Sequence, residues 1–147
     1  MKAVVVFATI TGNNESIANI VTEALQNHGI DVEENEMSMA DVEDFEDADI
    51  CLVCPYTYDE GALSDEGLDF YDDLNEFDLS GKIYGVAGSG DTAYGDDFCV
   101  AVDKFGKAFD KSGAVMGAEN VHVNLAPDDS DKERLEQFVD ELVNKAE

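Results

Sequence analysis

"AVVVFATITGNNESIANIVTEAL", residues 3–25, holds the junction on which the fold turns. It opens with an apolar, valine-rich run at 3–7, the composition of a strand buried on both faces. Ile17, Ile20, Val21, Ala24 and Leu25 then fall at i, i+3, i+4, i+7 and i+8, the period of an amphipathic helix, and Gly29 stands where a C-cap glycine belongs. Residues 8–14 therefore lead from a strand into a helix whose first N–H groups lack intrahelical partners, which makes an anion site. Thr9 and Thr11 offer hydroxyls, Gly12 lets the backbone approach a ligand, and Asn13 and Asn14 offer amides. Lysine is missing. A magnesium-bound nucleoside triphosphate usually draws a Walker lysine to such a loop, so this neutral one suits a phosphate monoester better. The same residue types would also build an ordinary Thr/Asn capping turn.

The pattern repeats along the chain. Strand-like runs recur at 50–54 (ICLVC) and 83–87 (IYGVA), with weaker ones at 30–36 and 121–125. Helical spacing joins Phe98, Val102, Phe105 and Phe109, closed by Gly113, and joins Leu135, Phe138, Val139, Leu142 and Val143 after Asp131 as an N-cap. A shorter helix is expected around Leu68, Tyr71 and Leu74, and 37–49 reads as a loop or short helix. Strand alternating with helix predicts a single α/β domain over 1–147, with a parallel sheet and helices on both faces. Ligands of such sheets collect beyond the carboxyl ends of the strands, where strand order reverses.

Two further loops follow strong strands. "PYTYDEG" (55–61) and "GSGDTAYGDD" (88–97) carry Tyr58 and Tyr94 among glycines and acids, and two rings at one sheet edge could sandwich a flat ligand. Each tyrosine could equally be a loop anchor folded onto the body. "GSGDTA" also matches a dinucleotide-binding pattern, but it follows a late strand, and Asp91, Asp96 and Asp97 would repel a pyrophosphate. Cys51 and Cys54 form a C-x-x-C inside a strand, where positions three apart face opposite ways, so buried core thiols are expected rather than redox chemistry. His28 and His122 are isolated and suggest no metal site.

The chain has 147 residues, of which 35 are acidic and 8 basic, and no Lys or Arg stands between Lys2 and Lys82. Such a charge repels nucleic acid and anionic membranes and would steer basic protein partners, although solubility or adaptation to salt would produce it too. The odd cysteine count fits a reducing cytosol, and neither a signal peptide nor a membrane span is expected.

These residues resemble those of a short-chain flavodoxin over nearly the full length. "TITGNN" is similar to that family's T-x-T-G-N-T phosphate loop, "TYDEG" to its T-[WY]-G-D-G loop, and "GSGDTAY" with the following "FC" to its flavin-edge loop. The resemblance implies an open five-stranded parallel sheet of order 2-1-3-4-5 and a low-potential electron carrier with non-covalent FMN. Thr9, Ile10, Thr11, Gly12, Asn13 and Asn14 would wrap the phosphate, and Tyr58 and Tyr94 would cover the two ring faces. The backbones of Thr57, Asp59, Glu60, Ser89, Gly90 and Asp91 would meet the flavin edge, with Cys99 beside them, and one residue more than the family spacing stands between Tyr94 and Phe98. Asn14 replaces a threonine, and Asp59 a glycine, of the family pattern.

No general base, nucleophile or metal set supports turnover, so a carrier rather than an enzyme is expected, as a cytoplasmic monomer that meets basic faces of a reductase and of acceptor proteins. A phosphoryl-accepting receiver domain shares the topology but would want acids where Ala8, Thr9, Cys54 and Pro55 stand. The stronger rival is a flavodoxin-like activator or binding module dedicated to one partner, with altered or lost FMN binding.

Overall fold

The computed structural model describes residues 1–8, 13–55, 65–90, 100–124 and 127–146, with the side chains of 13, 65–68, 90, 100 and 124 left aside. Strand β1 (Lys2–Phe7) leads to helix α1 (Asn13–Asn27), and β2 (Asp31–Glu36) to two short 3-10 turns at Met37–Met39 and Val42–Phe45. Then come β3 (Ile50–Cys54), α2 (Asp65–Glu76), β4 (Ile83–Gly90), α3 (Val100–Lys111), β5 (Val115–Met116), β6 (Val121–Asn124) and α4 (Asp129–Ala146). All strand pairings are parallel, in the order β2-β1-β3-β4-β5, with β6 also on β4.

The period-two alternation of strand side chains sorts the central apolar runs into two cores. Ala3, Val5 and Phe7 of β1 and Ile50, Leu52 and Cys54 of β3 pack with Ile17, Val21 and Leu25 of α1 and with Leu135, Phe138 and Leu142 of α4. Val4, Val6, Cys51 and Val53 face the other way, onto Phe70 and Leu74 of α2 and Val102, Phe105 and Phe109 of α3. The two cysteines thus lie on opposite faces, both fully buried.

The edges differ from the centre for physical reasons. β2 carries Asp31, Glu33, Glu34 and Glu36, acids that discourage a second chain from pairing with an open edge. The far edge, expected as one strand at 121–125, is built in two pieces: Val115 and Met116 pair with Ile83 and Tyr84, and Val121–Asn124 pair with Ala87–Gly90. Between them Gly117 lies so close to α4 that an added Cβ would sit 2.6 Å from a Leu142 methyl.

Both predicted glycine stops are real. Gly29 and Gly113 have φ of 79° and 89°. In each case the next residue reaches back to the helix, Ile30 N–H to Leu25 O at 3.3 Å and Ala114 N–H to Phe109 O at 3.2 Å. That is the Schellman pattern, in which the left-handed residue is nearly free for glycine alone. The expected cap at Asp131 is corrected: Asp128 receives the Asp131 N–H at 2.8 Å, while the Asp131 carboxylate accepts from Asp128 N–H at 3.1 Å. Asp131 is the inner half of a reciprocal capping box, a role that three-residue spacing allows either acid to fill.

Candidate functional site

Three strands end side by side. Phe7 stands opposite Cys54 in the β1–β3 register, Val53 opposite Val86 between β3 and β4, and the Ala8 N–H donates to Cys54 O at 3.0 Å. β1 has β2 on one flank and β3 on the other, so strand order reverses beside it, and in open parallel sheets that is where ligands bind. The segments 9–12, 56–64 and 91–99 depart from these ends.

Close packing holds two of those departures together. A Cβ on Gly88 would sit 2.4 Å from the Pro55 carbonyl oxygen and 2.9 Å from a Val102 methyl. Only a bare α-carbon lets the exit of β3 and the third residue of α3 approach β4 so closely. In the sequence Gly88 belongs to a dinucleotide-like pattern and Pro55 opens a loop; the signal for their relation is a glycine inside a strand.

Asn14 is in the first turn of α1 and Ser89 is the penultimate residue of β4, and both are wholly buried. The Ser89 N–H donates to Asn14 Oδ1 at 2.9 Å. Asn14 Nδ2 and Ser89 Oγ have no hydrogen-bond partner among the described residues. Buried donors left unpaired are costly, so their concentration where a strand end meets a helix start marks a place built for more than packing. This donor set, at a helix start whose first N–H groups have no acceptor within the helix, fits a ligand with an anionic tail and ring carbonyls. Glu15 opposes an anion there, but it is exposed and its charge is largely screened by water.

Of the residues predicted for the site, Asn14 and Ser89 are thus brought into direct contact. Asn13 begins α1 and Gly90 ends β4, as the loop positions require. Thr9, Ile10, Thr11, Gly12, Thr57, Tyr58, Asp59, Glu60, Asp91, Tyr94 and Cys99 lie outside the described residues.

Acids dominate the helix that follows segment 56–64. In α2, Asp69, Asp72, Asp73 and Glu76 are all exposed at i, i+3, i+4 and i+7, one stripe opposite the buried Phe70 and Leu74. Burial pushes the Cys51 thiol up to about 12, and burial also raises that of Cys54, so both stay protonated and unreactive at neutral pH. Each histidine holds a carboxylate, His28 with Asp140 at 2.7 Å and His122 with Asp103 at 3.0 Å. No helix among the described residues is long and apolar enough to cross a membrane.

Comparison with known proteins agrees with this geometry. The flavodoxin family model matches residues 5–138. The chain is 35% identical over 146 residues to probable flavodoxin 2 of Bacillus subtilis, covering 99% of this chain and 96% of that protein. Among solved structures it resembles a short-chain flavodoxin associated with a non-canonical PDU bacterial microcompartment, with TM-score 0.98, 56% identity, and 100% and 99% of the two chains covered. It also resembles a flavodoxin of Streptococcus pneumoniae, with TM-score 0.95, 51% identity and 99% of each chain covered. The strand order, with its switch point beside β1, and the matched length leave one assignment: the chain belongs to the flavodoxin family, electron-transfer proteins that carry FMN.

Proposed function

We propose that this chain is a low-potential, one-electron carrier that takes electrons from a reductase and passes them to acceptor proteins through basic docking faces. The observation that carries this reading is the exposed acidic stripe Asp69, Asp72, Asp73 and Glu76 on the helix that follows segment 56–64. When bound, FMN supplies the redox chemistry; the chain grips it, shields it from water and sets its potential. Thr9, Ile10, Thr11, Gly12, Asn13 and Asn14 hold the phosphate end. Tyr58 and Tyr94 would cover the ring, and Thr57, Asp59, Glu60, Ser89, Gly90, Asp91 and Cys99 would meet its edge.

Negative charge makes each added electron costlier. One acid about 12 Å from the ring, at an effective dielectric of about 40 to 80, raises the cost by roughly 0.3 to 0.7 kcal/mol. That is on the order of 15 to 30 mV per electron. The same charge attracts basic partners and repels nucleic acid and anionic membranes, and the reading is completed by a monomer working in the cytoplasm. Anaerobic reductive titration of the FMN-loaded protein tests it. The expected result is a second potential below that of free FMN, with reduction by a reductase slowing as salt rises. A second potential at or above the free value would overturn the low-potential assignment.

A further inference from the structure

Asn14 does something that a threonine in its place could not. Ser89 N–H is a donor only, so the oxygen of the Asn14 amide must face it, at 2.9 Å. That contact fixes the rotation of the amide and leaves Nδ2 as a committed donor on the far side, buried and without a partner among the described residues. A threonine hydroxyl is carried on Cβ, one bond closer to the backbone than the Asn Oδ1, and falls short of the Ser89 N–H unless α1 or β4 moves.

The two ends of this bond belong to different parts of the site. Asn14 lies in the turn that opens α1, directly after segment 9–12, and Ser89 lies one residue before the end of β4, from which segment 91–99 departs. They are 75 residues apart in the chain. The neighbouring Gly88 is pinned by Pro55 and Val102, so a shift of Ser89 is not absorbed locally but passes to the strand end.

We propose that Asn14 is a positioning residue that couples the grip on the cofactor's phosphate to the placement of the β4 end along the flavin edge, by holding the Ser89 N–H. This rests on the FMN reading above. A mere phosphate contact would concern only the tail, whereas a coupling residue also governs binding of a flavin that has no phosphate.

The test compares FMN and riboflavin affinity, by flavin fluorescence titration, in the natural protein, Asn14→Thr and Asn14→Ala, alongside hydrogen exchange of the Ser89 amide in the FMN-loaded forms. The expected result is a loss of about tenfold in affinity for both flavins and an exchange rate at Ser89 about tenfold faster, the effect of one lost hydrogen bond to a buried group. Weakened FMN binding with unchanged riboflavin binding would make Asn14 a phosphate contact only and overturn the proposal, as would unchanged exchange at Ser89. Where riboflavin binds too weakly to titrate, the Ser89 exchange decides. Asn14→Thr carries the residue of the family pattern, so it keeps the test open if Asn14→Ala does not fold. Failure of the natural protein to bind FMN at all would instead reject the cofactor reading.

Discussion

The carbonyl oxygen of Pro55 lies where a β-carbon on Gly88 would have to be, 2.4 Å from its ideal position. Strand exit and strand interior are in backbone contact at the point where segment 56–64 departs. Gly88→Ala must relieve clashes with both the Pro55 carbonyl and the Val102 side chain, and overpacking of this kind costs roughly 1 to 3 kcal/mol. The expected outcome is a destabilised apoprotein in urea denaturation together with weaker FMN binding in fluorescence titration. A folded variant with full affinity would show that the contact does not position the site.

Tyr84 offers a test of stability alone. Its ring stacks on Phe109 with centroids 4.8 Å apart, and its hydroxyl donates to Asp110 Oδ1 at 2.8 Å. Tyr84→Phe keeps the stack and loses the bond, for an expected cost of about 1 kcal/mol with FMN affinity unchanged.

The same phenol gives a pH dependence. Burial, and then the hydrogen bond to Asp110, push its pKa up from 10.0 in the folded protein. The folded state therefore keeps a proton that the unfolded chain gives up, so the contribution is complete below pH 10 and is lost as pH rises above it. Denaturation series between about pH 8 and 11 should show natural protein losing stability more steeply than Tyr84→Phe. Parallel slopes would reject the assignment to Tyr84.

Legibility in the sequence followed the range of the interaction. β1, β3 and α1 were readable because both of their faces, or one clear stripe, are apolar, and Gly29 and Gly113 because their left-handed φ has a local cause. Asp128 and Asp131 could not be ranked as cap, since each bonds the other's amide and only the helix axis separates their roles. β5 was missed because a strand of Val115 and Met116 alone has no period to read, and its pairing with Ile83 and Tyr84 is set by tertiary contact. The site divided the same way. Its loops announced themselves by composition, while the Asn14–Ser89 bond and the Gly88–Pro55 approach join residues far apart in the chain and leave no local signature.

The acidic stripe of α2 is a liability as well as a docking face. Like charges at i, i+3 and i+4 repel by a few tenths of a kcal/mol per pair, and α2 has no base in its last turn to offset the helix dipole. Asp69→Asn, Asp72→Asn, Asp73→Asn and Glu76→Gln combined should raise stability at low salt and flatten its dependence on salt. They should also raise the second FMN potential by tens of mV and weaken the salt dependence of reduction by a reductase. Denaturation at about 20 and 500 mM NaCl and potentiometry would check both; an unchanged potential would place the stripe too far from the ring to act on it.

Asp59 stands where the family pattern commonly has a glycine, within "TYDEG" at 57–61. In that pattern the peptide at this position turns its carbonyl toward the flavin as the first electron arrives, and the turn brings the residue to positive φ. Glycine occupies that region freely, whereas aspartate does so at a cost on the order of 1 kcal/mol. If residue 59 makes that turn, the cost would fall on the reduced side of the first couple alone and would lower the first potential by about 40 mV for one electron. Asp59→Gly removes it. The variant should show a first potential raised by about that amount in spectroelectrochemical titration, with the second potential rising less, in proportion to the one charge lost. A first potential that stays put or falls would mean that the backbone at residue 59 does not make the family's turn, and that this chain holds its flavin's first electron by other contacts.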